Sequence, residues 1–459
     1  MQLKHKLCIV PPADVNFVGA TSSMLEFTAA HGERLDVTVL EEDLVRVRMR
    51  PQGQARLERT WLVLDKDGFM PREGRSREDL SPFSLPAARQ EQREGSVILT
   101  TSKLKLDIHS GDFAIQWSTE SGIPLAADLP GRAYAYDFDG QQVYHTLLCR
   151  PGERYFGFGE VSGKLNKAGR RVRLKNTDAL GYSAKFGSPL YKHFPFYITF
   201  QPETQQAFGL FYDNLASTTF DLNHRAVPTH APYRSYAAEG GDVDYYFIYG
   251  PSIREVVEKF TRLTGRMLLP PRWSLGYLGS TMKYTESRDA QRQLEKFAQN
   301  CRVHQIPCDL FHLSSGYTLG EDGKRYVFHW NRKRIPDPQG MVDDFHKNGI
   351  RLAANIKPAL LTTHPSFAEV KALGGFIRAA AADEPQLLHF WGGTAAALDF
   401  TNPVTNDWWK QQIKAQLLSY GIDSTWNDNN EYELPMAPPA AMALASPFPL
   451  DWCGPCKPC

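Results

Sequence analysis

The sequence predicts a multidomain chain, an antiparallel β-sandwich over residues 1–265 followed, over 266–434, by the first four strands of a (β/α)8 TIM barrel. Three observations carry this. From Leu25 to Tyr249, short segments alternating apolar and polar residues are broken by Gly, Pro, Asp and Asn at regular spacing, as the strands of a sandwich are. The first strongly helical pattern is followed by Leu268-Leu269-Pro270-Pro271, a rigid extended joint that marks the entry to a second domain. Beyond that joint strand-like and helix-like periods alternate, and strand–helix repetition implies right-handed crossovers and a parallel sheet.

Within the first region, period-two alternation marks strands at 35–40, 44–49, 97–101 and 245–249. Ser252 and Glu255 have the spacing of a capping box; Ile253, Val256, Val257 and Phe260 line one helix face, and Gly265 stands at the C′ position. In the second region Trp273 to Gly279 reads as a strand, and Ala290, Leu294, Phe297, Ala298 and Cys301 mark a helix face. Cys308 to Leu313 is the second strand. A helix carrying Met341, Val342 and Phe345 ends near Gly349, and Arg351 to Ile356 is the third strand. A helix with Trp409, Ile413 and Leu417 ends at Gly421, and a fourth strand leads into Trp426.

At 459 residues the chain has ample apolar material for two cores. Lys and Arg number 52 against 51 Asp and Glu, with no basic block interleaved with aromatics, so a nucleic-acid partner has no electrostatic footprint. The N-terminus lacks the apolar core of a signal peptide and no run of about 18 apolar residues follows, which predicts a cytoplasmic protein without a membrane partner. Cys8, Cys149, Cys301 and Cys308 are scattered without metal spacing and read as reduced thiols, so neither a metal nor another cofactor is expected. Oligomeric state is not legible.

The stretch with most chemistry is Trp426-Asn427-Asp428-Asn429-Asn430-Glu431, two carboxylates three residues apart among amide and aromatic side chains. Hydrolysis of a glycoside with retention needs an ionised carboxylate to attack the anomeric carbon and a protonated one to release the leaving oxygen, the two roughly 5 Å apart. Asp428 is the candidate nucleophile, placed at the C-terminal end of a strand where barrels carry their chemistry. The same cluster is also what a polar loop or a weak cation site looks like.

This stretch resembles the signature of glycoside hydrolase family 31, the retaining α-glucosidase and α-xylosidase group, Trp-x-Asp-Met-Asn-Glu with the Asp as nucleophile. Trp426, Asp428, Asn430 and Glu431 match, and Asn429 stands where Met is usual. Further segments resemble family landmarks: Tyr155 to Glu160, Pro270 to Gly276, Ile306 to Asp309, Phe328-His329-Trp330-Asn331, and Asp399 to Pro403. The resemblance implies an α-linked oligosaccharide or glycoside as substrate. It also implies that Glu431 orients Asp428 or binds a hydroxyl, and that the proton donor is an Asp further downstream than this chain runs. Trp330 and Trp426 are candidate sugar contacts.

Two departures bear on specificity. Where many members carry Asp-x-x-Trp-x-Asp-x-Asp-Tyr, this chain has Asp309 to Tyr317 with His312 for the Trp and Ser314 for the sugar-binding Asp. A hydroxyl offers weaker, uncharged contact than a carboxylate, so the preferred sugar is expected to differ from a plain α-glucoside. His312 reads equally as a sugar contact or a core histidine. Lys357 ends the third strand where an Asp is common; it could hold an anionic or electron-rich substituent, or pair with a neighbouring carboxylate.

After Leu434 the texture breaks into Pro and small residues, and no helix follows the fourth strand as a barrel requires. Trp452-Cys453-Gly454-Pro455-Cys456-Lys457 matches the thioredoxin active-site motif, but the motif needs a helix N-terminus within a βαβ unit and only three residues follow Cys456, so a redox role fails on context. A two-base shift of reading frame over Met442 to Cys459 yields a Gly-rich loop and an apolar helix resembling the family continuation. The expectation is therefore an out-of-frame, disordered tail over 435–459 on a truncated hydrolase that is itself inactive, the alternative being a non-catalytic carbohydrate-binding fragment.

Overall fold

The computed structural model describes residues 8–138, 140–224, 231–379 and 382–434. The expectations for the tail over 435–459, with its Cys453 and Cys456, and for the first seven residues lie outside the described residues. The chain divides into two compact units, one ending at Arg266 and the next beginning at Met267.

The first unit is a β-sandwich built from antiparallel strands. One sheet runs, in spatial order, through Arg154–Gly159, His193–Gln201, Gln206–Tyr212, Val243–Gly250, Leu44–Arg50, Arg34–Glu41, Met24–Thr28 and Asn16–Ala20. Two others, of six and five strands, supply the facing layer. Alternation explains the packing. Leu35, Val37, Val39, Val45 and Val47 point into one apolar core that also holds Trp117, stacked on Phe247 at 4.0 Å between centroids. The polar alternates of the same strands are buried too, a feature that alternation alone does not announce. Asp36 lies between Arg48 and Arg50, and Asp244 accepts from Arg46 at 2.8 Å and from Arg77 at 2.7 Å. A buried carboxylate survives only when paired in this way. The segment Tyr155 to Gly159, whose glycines resemble half of a dinucleotide loop, is an edge strand whose register shifts between Gly157 and Gly159.

The helix Ile253–Thr264 has the expected capping box, and the Gly265 N–H bonds Thr261 O at 3.0 Å. Its buried stripe is narrower than expected. Val256 and Leu263 are buried and Phe260 stacks on Phe196, whereas Ile253 and Val257 are exposed because they flank the 256, 260, 263 row.

The second unit is a partial TIM barrel. Four parallel strands, β1 (Leu278–Ser280), β2 (Leu310–Leu313), β3 (Arg351–Ile356) and β4 (Ser424–Asn427), lie side by side in chain order. The helices α1 (Ala290–Val303), α2 (Pro338–Lys347) and α3 (Pro403–Gln416) cover one face. Phe311, Leu313, Leu352, Ala354 and Ile356 pack there against Leu294, Met341, Phe345 and Leu417. The alternates His312, Asn355 and Trp426 therefore lie on the other face.

Two local expectations need correcting. Trp273 to Gly279 is not one strand: Arg272–Leu275 forms a 3-10 turn, with Ser274 Oγ donating to Pro271 O at 2.7 Å, and the strand starts only at Leu278. Pro271 sets the turn geometry that the apolar run conceals. The connection from β3 to α3 also carries an antiparallel sheet, Ala359–Leu361, Gly393–Ala397 and Leu387–Phe390, that its short Ala-rich runs did not announce. No helix among the described residues is long and apolar enough to cross a membrane.

Candidate active site

Parallel pairing sets the site. Trp426 lies opposite Asn355, and Asn427 opposite Ile356, so Asp428 leaves β4 one step beyond the end of β3, its N–H bonded to Ile356 O at 2.9 Å. The Asp428 carboxylate is half-buried. Its Oδ2 accepts from Asn355 Nδ2 at 2.9 Å and from Lys357 Nζ, and its Oδ1 accepts the backbone N–H of Asn429 at 3.1 Å. Lys357 Nζ also donates to Asn429 Oδ1. Lys357 is thus paired with a neighbouring carboxylate, one of its two readings.

Asn355 was not anticipated as part of the site. It is 2% exposed, its carbonyl is held by Tyr317 Oη at 2.9 Å, and its Oδ1 has no hydrogen-bond partner. The available signal was a single amide in the otherwise apolar run Leu352-Ala353-Ala354-Asn355-Ile356, since a buried polar side chain needs a partner. Beside it a cavity is lined by Ser315, Thr318, Arg325, Lys357 and Phe390. Arg325 is paired with Glu286.

Trp426 and His312 come together on the open face, ring centroids 5.7 Å apart and edge to face. Burial lowers the His312 pKa, favouring the neutral ring, which can accept as well as donate a hydrogen bond. Glu431 is half-buried, three residues past Asp428 on the loop after β4.

Two expected sugar contacts are placed elsewhere. Ser314 is 4% exposed; its hydroxyl is engaged with Thr285 Oγ1 at 2.7 Å and donates to Thr281 O at 3.3 Å, fastening the short helix Met282–Thr285 to the end of β2. Trp330 is 4% exposed in the barrel-side core. Its Nε1 donates to Gln416 O at 2.8 Å, and its ring meets Tyr317 and Tyr420 at 4.8 and 5.8 Å. It closes the C-terminal end of α3, whose last carbonyls lack helical donors.

Comparison with known proteins accords with this geometry. Residues 267–447 match the glycosyl hydrolases family 31 TIM-barrel domain, and residues 34–221 the glycosyl hydrolase 31 N-terminal galactose mutarotase-like domain. Alpha-glucosidase 2 of Bacillus thermoamyloliquefaciens is 29% identical over 403 residues, covering 85% of this chain and 45% of that protein. Alpha-xylosidase XylQ of Lactiplantibacillus pentosus is 28% identical over 322 residues, 70% of this chain and 40% of its own. The chain thus spans less than half the length of these two relatives. Among solved structures, a Flavobacterium johnsoniae GH31 dextranase complexed with glucose superposes with a TM-score of 0.76 at 22% identity, covering 92% of this chain and 48% of that one. A GH31 alpha-xylosidase from a soil metagenome, complexed with xylose, gives 0.71 at 16%, covering 92% and 58%.

Proposed function

Because the chain belongs to glycoside hydrolase family 31, we propose that Asp428 is the nucleophile of a retaining α-glycoside hydrolase and that residues 267–434 hold the covalent half of its chemistry. The observation that carries this reading is the carboxylate at the end of β4, with one oxygen tied by Asn355 and Lys357 and the other bonded to a single backbone N–H. In the first step Asp428 Oδ1 bonds the anomeric carbon while the bond to the leaving oxygen breaks, and water later releases the sugar from the ester.

The leaving oxygen of an ordinary glycoside needs a proton, an effect worth about 10²–10⁴-fold. In this reading that proton comes from a strand beyond the four described, as the family resemblance implies. An activated glycoside, whose leaving group needs little protonation, therefore reads the step at Asp428 without that donor. His312 and Trp426 line the sugar side of the cleft, and the Asp428–Lys357 pair forms its floor. With a neutral ring at His312 where a Trp is usual, and no carboxylate at position 314, the preferred sugar is an α-glycoside other than a plain α-glucoside.

The test is a panel of activated aryl α-glycosides given to the chain. The expected result is aglycone release that Asp428→Ala abolishes, fastest with a glycone other than glucose. Release that is unchanged in Asp428→Ala, or a wide preference for the α-glucoside, overturns the corresponding half of the reading.

A further inference from the structure

The two departures from the family signature nearest the nucleophile, Lys357 and Asn429, are 72 residues apart in sequence and meet in space. The Lys357 ammonium donates both to Asp428 Oδ2 and to Asn429 Oδ1. Asn429 has φ +53°, in the left-handed region, which Asn tolerates better than most side chains. Its amide oxygen is also a good acceptor for an ammonium, which a thioether is not. Asn355, almost wholly buried, donates to the same Oδ2 at 2.9 Å. These two side-chain donors converge on one carboxylate oxygen, and Oδ1 receives the Asn429 N–H at 3.1 Å.

Accepting Asp428 as the nucleophile, we propose that Lys357, positioned by Asn429, acts on the non-attacking oxygen to make Asp428 a good leaving group from its glycosyl ester. The carboxylate carries a full charge in the free protein and none in the ester. An ammonium beside it stabilises the free form over the ester, and it does so in part at the transition state, where the C1–Oδ1 bond is half broken. Lys357 therefore speeds release of the sugar and restrains its capture. The side chains of Lys357 and Asp428 are 13% and 27% exposed, so screening by water reduces the effect without removing it.

The experiment uses the whole chain and a 5-fluoro-α-glycosyl fluoride, whose departing fluoride needs no proton donor. Capture forms the Oδ1–C1 bond and expels fluoride ion. After excess reagent is removed, azide is added: its nitrogen bonds C1, the C1–Oδ1 bond breaks, and the electron pair returns to Asp428 as a carboxylate. Intact mass follows both steps. In Lys357→Met the adduct should decay on the order of tenfold more slowly than in the wild type. Lys357→Arg should restore most of the rate. Asn429→Gly, which keeps the left-handed backbone and removes the acceptor, should fall between.

Capture that is slower in these variants, with adduct decay unchanged, would mean that Lys357 only supports the fold, and overturns the proposal while leaving Asp428 as nucleophile. A wild-type chain that takes no label overturns the nucleophile reading and this inference with it.

Discussion

Replacing Trp330 by Phe should destabilise the barrel unit and leave sugar capture intact. The indole is 4% exposed, and its Nε1–H is donated to Gln416 O at 2.8 Å. Phe keeps a ring beside Tyr317 and Tyr420 but leaves that part-buried carbonyl without its indole donor, a cost of about 1–3 kcal/mol. The smaller ring adds a void worth roughly another 1 kcal/mol. The expected loss is therefore about 2–4 kcal/mol, concentrated at the C-terminal end of α3. Because the chain has two units and a single unfolding free energy is ill defined for it, hydrogen exchange read on peptides covering 403–420 is the better assay. Protection there should fall while the rate at which Asp428 takes a fluoroglycoside stays within about twofold, roughly 0.4 kcal/mol. Unchanged protection with capture abolished would show Trp330 to be a sugar platform and refute the burial argument.

Ser314→Ala should cost about 1–2 kcal/mol, because it breaks the pair with Thr285 in a buried setting, and should change sugar preference little; a changed order of preference in the aryl-glycoside panel would return Ser314 to the cleft. Burial lowers the His193 pKa to about 4, and its Nε2 is buried without a partner. Since the folded value lies below the unfolded value of about 6.5, the unfolded chain binds more protons between the two. Stability of the first unit is then complete above about pH 6.5 and falls by about 1–3 kcal/mol as the pH drops to about 4. His193→Gln should flatten that slope in urea titrations, and an equally steep slope in the variant would assign it to other groups.

Local signals made much of this architecture legible. The capping box at Ser252, the apolar triplet Met341, Val342 and Phe345, and the third strand at Arg351–Ile356 are set by neighbours within one or two turns, and each stands where the pattern puts it. The strand leading through Trp426 also placed Asp428 at the rim of the sheet. What escaped is non-local. The Trp330 partner is 86 residues away and the Lys357 partner 71, so nothing beside either residue shows whether it faces a cleft or a core. The same holds for the buried polar face of the sandwich, where Arg46 and Asp244 are 198 residues apart. A one-residue amide such as Asn355 is visible in the sequence, but its significance depends on the register of β3 against β4.

Everything proposed about chemistry turns on one carboxylate. The most direct test is to incubate the chain with the 5-fluoro-α-glycosyl fluoride, digest it, and locate the modified residue by tandem mass spectrometry. The label is expected on Asp428 at about one per chain, and Asp428→Ala should take none while keeping its fold. A label on Glu431 or any other residue, or an Asp428→Ala chain labelled as fast as the wild type, would contradict the assignment.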